Sequence, residues 1–366
     1  MKPHIYLGVM SGTSLDGVDV VALDLADGQA QLRAAHSLPF STELRAACLT
    51  LQSPQPNELH IAQLMANELA DLYSRAINEL LAAASLSTEQ VAAVGVHGQT
   101  VRHRPEHAYT IQLNQPARIA EQTGLTVVSD FRARDIAAGG QGAPLVPAFH
   151  DAVWRDATKN RVVLNIGGFA NISVLNLNET TFGFDTGPGN VLMDAWVAKH
   201  QGKAYDKNGD WAASGTPDER LLDSLLSDAY FSMPHPKSTG RDSFHLDWLN
   251  SHLTNHPAIS AVDVQATLLR LTALSIAREI TRVSPSLDQL IVCGGGAYNA
   301  ALLALLGQYL PNATVCPSSE HGIDAEHVEA AAFAWLAAQT LNHRSSNLPA
   351  ATGASGARIL GNITSA

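Results

Sequence analysis

Three stretches of the chain carry residues of the kind that hold an anion. The first is Ser11, Gly12, Thr13, Ser14, Leu15, Asp16 and Gly17, set between the apolar runs Ile5–Val9 and Val18–Leu25. Turns of this composition expose backbone N–H groups and hydroxyls without bulky side chains, which suits a phosphate chain. Alone, the stretch reads equally well as an ordinary β-hairpin. Gly12 and Gly17 have P-loop spacing, but Val18 stands where that loop needs lysine and no helix follows, so a P-loop is excluded. The second stretch, Arg161–Leu177, repeats the pattern with Asn165, Gly167, Gly168 and Asn171 between two apolar runs. In the third, Leu290–Asn299, an apolar strand runs into Gly294, Gly295 and Gly296 ahead of a helical pattern. The recurrence favours the anion reading. It points to a duplicated α/β architecture with nucleotide in the cleft between the halves.

Other chemistry-bearing groups sit where strands end. Val91–Val96 runs into His97-Gly98-Gln99-Thr100, and ligands of open α/β sheets collect at the carboxyl ends of strands. For His97 taken singly, a merely polar strand terminus is the simpler reading. Leu125–Ser129 leads into Asp130–Asp135, with Arg132, Arg134 and Asp135, and then a Gly- and Pro-rich loop over 137–147. That loop is read as an interdomain crossing whose Arg and Asp side chains face the cleft. Phe182–Asn190 sets Asp185 before a Gly-Pro-Gly turn and the helix Val191–His200, close to that helix's positive pole. A lone Asp there is usually an N-cap, but Pro188 and Asn190 are better placed to cap, which leaves Asp185 free.

The supporting elements follow from periodicity. Gln31–Pro39 reads as a third strand, and Glu58–Ala84 as a long amphipathic helix with Leu69, Tyr73, Ile77 and Leu80 on one face. Residues 201–257 form a structured insertion. Val262–Val283 is a second amphipathic helix, and Glu326–Leu341 is a helix whose alanines permit close backbone approach. The tail from Asn347 is read as part edge strand, part unstructured. The expected domains are 1–128 with 340–366, and 129–339.

Composition narrows the function classes. At 366 residues, 46% hydrophobic and 16% charged, the chain supports two globular domains. A net charge of −11 argues against nucleic acid or an anionic membrane as partner. Cys48, Cys293 and Cys316 fit neither a disulfide framework nor a zinc site, and no apolar tract is of spanning length. A cytoplasmic location is expected.

Together GVMSGTSLDGVD, HGQTVRHRP, DFRARDIAAGGQGAPLVP, NIGGFANIS, FDTGPGN, KSTGR and CGGGAYN resemble the anhydro-N-acetylmuramic acid kinase family, in order and over nearly the whole chain. The resemblance implies the duplicated actin-like (ribonuclease H-like) ATPase fold of the hexokinase and Hsp70 group, ATP and Mg²⁺ as cofactors, and a homodimer. In that wider group an Asp stands where Met10 stands here, so the Mg²⁺ ligands stay open, with Asp16, Asp19 or Asp185 acting through water as candidates. The implied reaction opens 1,6-anhydro-N-acetylmuramic acid with water and phosphorylates O6, in cell-wall recycling. Asp185 suits the general base and Glu329 a second carboxylate, while a solvated Glu329 is an equal reading. ATP is assigned to residues 12–19 (Gly12, Thr13, Ser14, Leu15, Asp16, Gly17, Val18 and Asp19), Gly167, Gly168, Asn171, Gly294, Gly295 and Gly296. The sugar is assigned to His97, Gln99, Arg134 and Asp135, with Arg132 and Lys237 as rivals for its lactyl carboxylate. Two other classes compete: a sugar kinase acting on a free hydroxyl of an N-acetylhexosamine, and an actin-like ATPase acting on a protein partner.

Overall fold

The computed structural model describes residues 4–12, 15–26, 30–240, 242–256 and 258–366. Its strands in chain order are β1 Ile5–Met10, β2 Gly17–Asp24, β3 Gln31–Pro39, β4 Val91–Val96, β5 Gln99–Arg104, β6 Tyr109–Leu113, β7 Val127–Ser129, β8 Arg161–Ile166, β9 Phe169–Leu175, β10 Phe182–Pro188, β11 Gln289–Cys293, β12 Thr314–Pro317 and β13 Asn362–Thr364. The chain divides into two compact units, Met1–Val153 with Gly322–Ala366, and Trp154–His321.

The first unit holds a six-stranded sheet in the order β13-β7-β4-β1-β2-β3. β1, β2 and β3 form an antiparallel meander, and β4 and β7 join parallel to β1. The second unit repeats the plan as β10-β9-β8-β11-β12, with β8, β9 and β10 antiparallel and β11 and β12 parallel to β8. The duplication read from the glycine turns is therefore a duplication of strand order, that of the actin-like fold. The match extends to backbone detail. β4 runs into Gly98 at φ 79° and β11 into Gly294 at φ 77°, a conformation open to glycine and strained for other residues.

In the first unit, alternation along β1 sends Leu7 and Val9 into a core shared with Leu69, Tyr73 and Ile77 of the helix Glu58–Ala84. Gly8 faces the other way. A Cβ there would lie 1.9 Å from Ala330 O, and one on Gly95 of β4 would lie 2.1 Å from Phe333 O. The alanine-rich helix Val328–Leu341 is thus laid directly on the sheet backbone. This contact places the helix in the first unit, so that the second boundary falls at 321/322 and not at the expected 339/340, while the first falls at 153/154 and not at 128/129. The loop over 137–147 likewise belongs to the first unit and is not a crossing between domains.

In the second unit the helix Ala261–Val283 is joined to the end of β10, where Thr272 Oγ1 donates to Gly189 O at 3.0 Å. The insertion is built of short helices, Asp210–Ala213, Glu219–Leu226, Ala229–Ser232 and Leu246–Leu253. The three cysteines are buried. Among the described residues no helix is long and apolar enough to cross a membrane.

Candidate active site

Each unit ends its two central parallel strands in a pair of turns. In the second unit these follow β8 and β11, whose Asn165 and Cys293 are register partners. The turns are packed side by side, since a Cβ on Gly294 would lie 2.3 Å from Asn165 Oδ1 and one on Gly296 2.3 Å from Ile166 Cγ2. Other faces stay open: a Cβ on Gly295 would meet nothing within 4 Å, and on Gly167 or Gly168 nothing nearer than 3.8 Å. Close-packed glycines beside open ones leave backbone that a bulky anion can reach. The start of the helix Val191–Gln201 clips onto the same place. The N–H groups of Gly189 and Val191 donate to Gly168 O, and that of Asn190 to Gly167 O. Asn190 makes no side-chain cap, so the turn carbonyls do the capping expected of it.

Asp185 lies within β10, half-buried, directly opposite Asn171 of β9, which places both side chains on one face of the sheet. Its N–H donates to Lys237 O at 3.0 Å, its Oδ2 accepts the Thr239 N–H at 3.0 Å, and its O accepts the Tyr230 hydroxyl at 2.6 Å. Burial pushes the carboxyl above the usual carboxylate range, opposed by the Thr239 N–H. Lys237 is buried in an ion pair with Glu279 and so does not serve as the lactyl-carboxylate contact considered for it.

In the first unit the turn after β1 is anchored by Ser11, whose Oγ is 2.7 Å from the buried Tyr73 hydroxyl. Gln99 Nε2 donates to Gly12 O at 3.3 Å. Leu15 adopts φ 58° with its side chain buried. Thr13 and Ser14 lie outside the described residues. Gly17, Val18 and Asp19 stand in β2, paired with Pro39, Leu38 and Ser37 of β3, and the Val18 side chain is in the core. Gly17–Asp19 therefore belong to the strand and not to the turn. Asp16 is exposed, whereas Asp19 accepts the Ser37 hydroxyl at 2.6 Å.

The turn after β4 carries His97, buried against Phe333 at 4.7 Å. Arg132 donates to His97 Nε2 from Nε at 3.2 Å and Nη2 at 3.0 Å, and to Gly142 O from Nη1 at 2.8 Å. Burial lowers the Arg132 guanidinium to about 10, opposed by attraction from Glu329 and Asp135. Glu329, in the first turn of Val328–Leu341, is therefore a half-buried carboxylate compensated by Arg132 rather than a lone acid among alanines.

Two of the expected sugar contacts part company. Arg134 is exposed. Asp135 is wholly buried: its Oδ1 accepts Asn347 Nδ2 at 2.7 Å and Thr352 Oγ1 at 2.8 Å, and its Oδ2 accepts the Gly142 N–H at 2.8 Å. Asp135 ties the glycine loop to the C-terminal segment and offers nothing to a ligand. Sequence reasoning does not reach Tyr230, Thr239 and Glu279 as partners in this network, although Thr239 lies in the KSTGR stretch and Glu279 in the helix read from periodicity.

The family model for anhydro-N-acetylmuramic acid kinase matches residues 4–366. The anhydro-N-acetylmuramic acid kinase of Pseudomonas fluorescens (strain Pf0-1) is 48% identical over 359 residues, covering 98% of this chain and 99% of that protein. That of Bordetella avium (strain 197N) is 51% identical over 358 residues, covering 97% and 95%. A family match along the whole length, together with relatives at about half identity, establishes that this chain belongs to the anhydro-N-acetylmuramic acid kinase family.

Proposed function

We propose that this chain is an ATP-dependent kinase of 1,6-anhydro-N-acetylmuramic acid acting in cell-wall recycling, with Asp185 as the group that takes the proton from the attacking water. O6 of this sugar is bound to C1 in the internal bridge and has no proton to lose. Water therefore adds at C1, and the C1–O6 bond breaks with its electron pair left on O6. O6 forms a bond to the γ-phosphorus of ATP, and the bond from that phosphorus to its bridging oxygen breaks. The products are N-acetylmuramic acid 6-phosphate and ADP, and the proton of the water passes to a carboxylate.

The observation that carries this reading is the environment of Asp185. Its carboxyl is half-buried, accepts a single backbone N–H, and has its proton affinity raised by burial. A carboxylate so placed is a stronger base than a solvated one. The open turns at Gly167-Gly168 and Gly295 suit the phosphates of a nucleotide. Among the described residues no cluster of three or more acidic, His or Cys side chains could hold a metal. Mg²⁺ would be held at the nucleotide with the exposed Asp16 as the protein group. Mg²⁺ supplies neutralisation of the triphosphate charge.

For the sugar, Gln99 is fully buried with its Oε1 unpartnered, as befits an acceptor that a ligand hydroxyl or water satisfies. His97 and the exposed guanidinium of Arg134 join it, Arg134 for the lactyl carboxylate. Glu329, whose charge acts on Arg132, is the second carboxylate. The reading is completed by a homodimer in the cytoplasm. A coupled assay of ADP release tests the function. Release is expected with the anhydro sugar and not without sugar, and equal release with N-acetylhexosamines bearing a free O6 would overturn it.

A further inference from the structure

Asp185 is gripped at three points by residues far from it in the chain. Lys237 O takes its N–H, Thr239 N–H reaches its carboxylate, and the Tyr230 hydroxyl reaches its carbonyl. Residues 237–239 therefore bridge the backbone and the side chain of one residue of β10. What holds the bridge lies deeper. The Lys237 side chain is wholly buried, with Nζ 2.7 Å from Glu279 Oε1, donating to Tyr230 O at 3.0 Å, and 4.5 Å from the centroid of the Tyr230 ring. Glu279 belongs to the helix Ala261–Val283 and takes Arg282 Nη2 on its other oxygen at 2.5 Å.

Such a pair is a poor source of stability. Desolvating two charges costs about as much as their attraction returns, and an apolar pair of similar volume often does as well. An apolar pair would not, however, fix the Tyr230 carbonyl and the path of residues 237–239 to one geometry. We propose that the buried Lys237–Glu279 pair is a positioning device for Asp185, setting the orientation and the proton affinity of its carboxylate through the 237–239 backbone. The inference rests on the reading of Asp185 as the base.

The effect travels through the chain and not through space. Lys237 and Arg282 both direct their charge at Glu279. Tyr230 is kept neutral by burial and by the neighbouring Asp185 and Glu279 carboxylates. His235 is stacked on Phe184 at 5.1 Å, and the helix Ala261–Val283 presents Ser275 beside Gly187. The contact that lowers Asp185 is the Thr239 N–H, against burial. Loosening 237–239 leaves burial unopposed, so the carboxyl rises.

The test uses Glu279→Gln, Tyr230→Phe and the double variant Lys237→Met with Glu279→Met, which leaves no unpaired buried charge. Two quantities are followed: the pH dependence of kcat/KM, and the carboxyl titration of Asp185 by carbon-13 NMR. In Glu279→Gln and the double variant the acid limb is expected to move up by about one unit, kcat to fall about tenfold, and the NMR titration to move with them. Tyr230→Phe should show a smaller shift in the same direction. Wild-type limb and titration in the folded double variant, or in Tyr230→Phe should the double variant not fold, overturn the proposal. A titration that moves while the kinetic limb stays put upholds the positioning and removes Asp185 as the base. Loss of turnover in Asp185→Asn beside wild-type behaviour of the double variant does the reverse.

Discussion

Arg132 donates two hydrogen bonds to a single atom, His97 Nε2, at 3.2 and 3.0 Å. That nitrogen is therefore an acceptor and the ring is neutral with its proton on Nδ1. Burial and the Arg132 charge push the imidazole well below its usual value. His97 is thus an acceptor that orients Arg132, not a group that exchanges protons near neutrality. His97→Gln, which keeps an acceptor, should leave the pH profile of kcat between about pH 6 and 9 unchanged in shape. His97→Ala strands the guanidinium and should cost about 1–3 kcal/mol in denaturant unfolding. The wild-type contribution is full above the unfolded histidine pKa and is lost as pH falls below it, because only the unfolded state then takes up the proton. A kinetic limb near pH 6.5 that disappears in His97→Gln would refute this.

Asp185→Asn keeps the shape of the side chain and removes its basicity. Turnover of the anhydro sugar is expected to fall by about 10²–10⁴-fold. ATP binding followed by calorimetry should change little. The folded carboxyl is raised by burial, so the native state holds its proton more tightly than the unfolded chain. That destabilises the wild type increasingly as pH rises through the window from the unfolded to the folded value. The variant should therefore melt no lower than wild type at pH 8. Wild-type turnover in this variant would end the assignment.

The close contact of the alanine-rich helix with the first sheet gives a structural prediction. Gly8→Ala and Gly95→Ala each drive a methyl group into a helix carbonyl, at 1.9 and 2.1 Å from unmoved atoms. Backbone cannot swing aside as a side-chain tip can, so each should cost at least about 1–3 kcal/mol. Gly307→Ala, inside the helix Ala300–Tyr309 with nothing within 4 Å, should gain about 0.5–1 kcal/mol from helix propensity. Chemical denaturation of the three variants decides it, and equal midpoints would mean the helix is not seated on Gly8 and Gly95.

What the sequence disclosed and what it hid follow from range. Glu58–Ala84 was read to the residue because its apolar stripe is local, and both glycine hairpins declare themselves within about twenty residues. Asp185 was legible as a carboxylate with no capping duty. Its donor Thr239 was not, for 54 positions separate them. Asp135 shows the opposite failure. It looks like a polar residue facing a ligand until Asn347 and Thr352, 212 and 217 positions away, are seen to take it. The engagement of Arg132 is long-range as well, since it is His97, 35 positions away, that accepts from it. The short hairpin β5–β6 passed unnoticed because Arg102, His103 and Arg104 mask its alternation.

Asp194 offers a test of buried charge apart from catalysis. It sits in the first turn of Val191–Gln201, and burial with the nearby Asp206 carboxylate pushes it up to about 7. Asp206 is fully engaged, accepting Trp211 N and Ala212 N at 2.9 Å each and Gln265 Nε2 at 3.4 Å, so its charge cannot readily be relinquished. Two hydrogen bonds bracket the neighbourhood: Trp196 Nε1 to Ala261 O at 2.8 Å, and Thr272 Oγ1 to Gly189 O at 3.0 Å. They join Val191–Gln201 and the turn before it to the helix Ala261–Val283, whose Gln265 reaches Asp206. In the unfolded chain the Asp194 carboxyl ionises near its ordinary 3.8. Between that value and about 7 the native state binds the extra proton, so its contribution turns increasingly unfavourable as pH rises through this window. Asp194→Asn removes the ionisation and should stabilise the protein at pH 8 by on the order of 1–2 kcal/mol, after discounting for partial exposure. Thermal unfolding at pH 4.5, 6 and 8 should show the gap over wild type widening with pH, and a gap that is flat or widens towards acid would show that the two carboxylates do not share a dry environment.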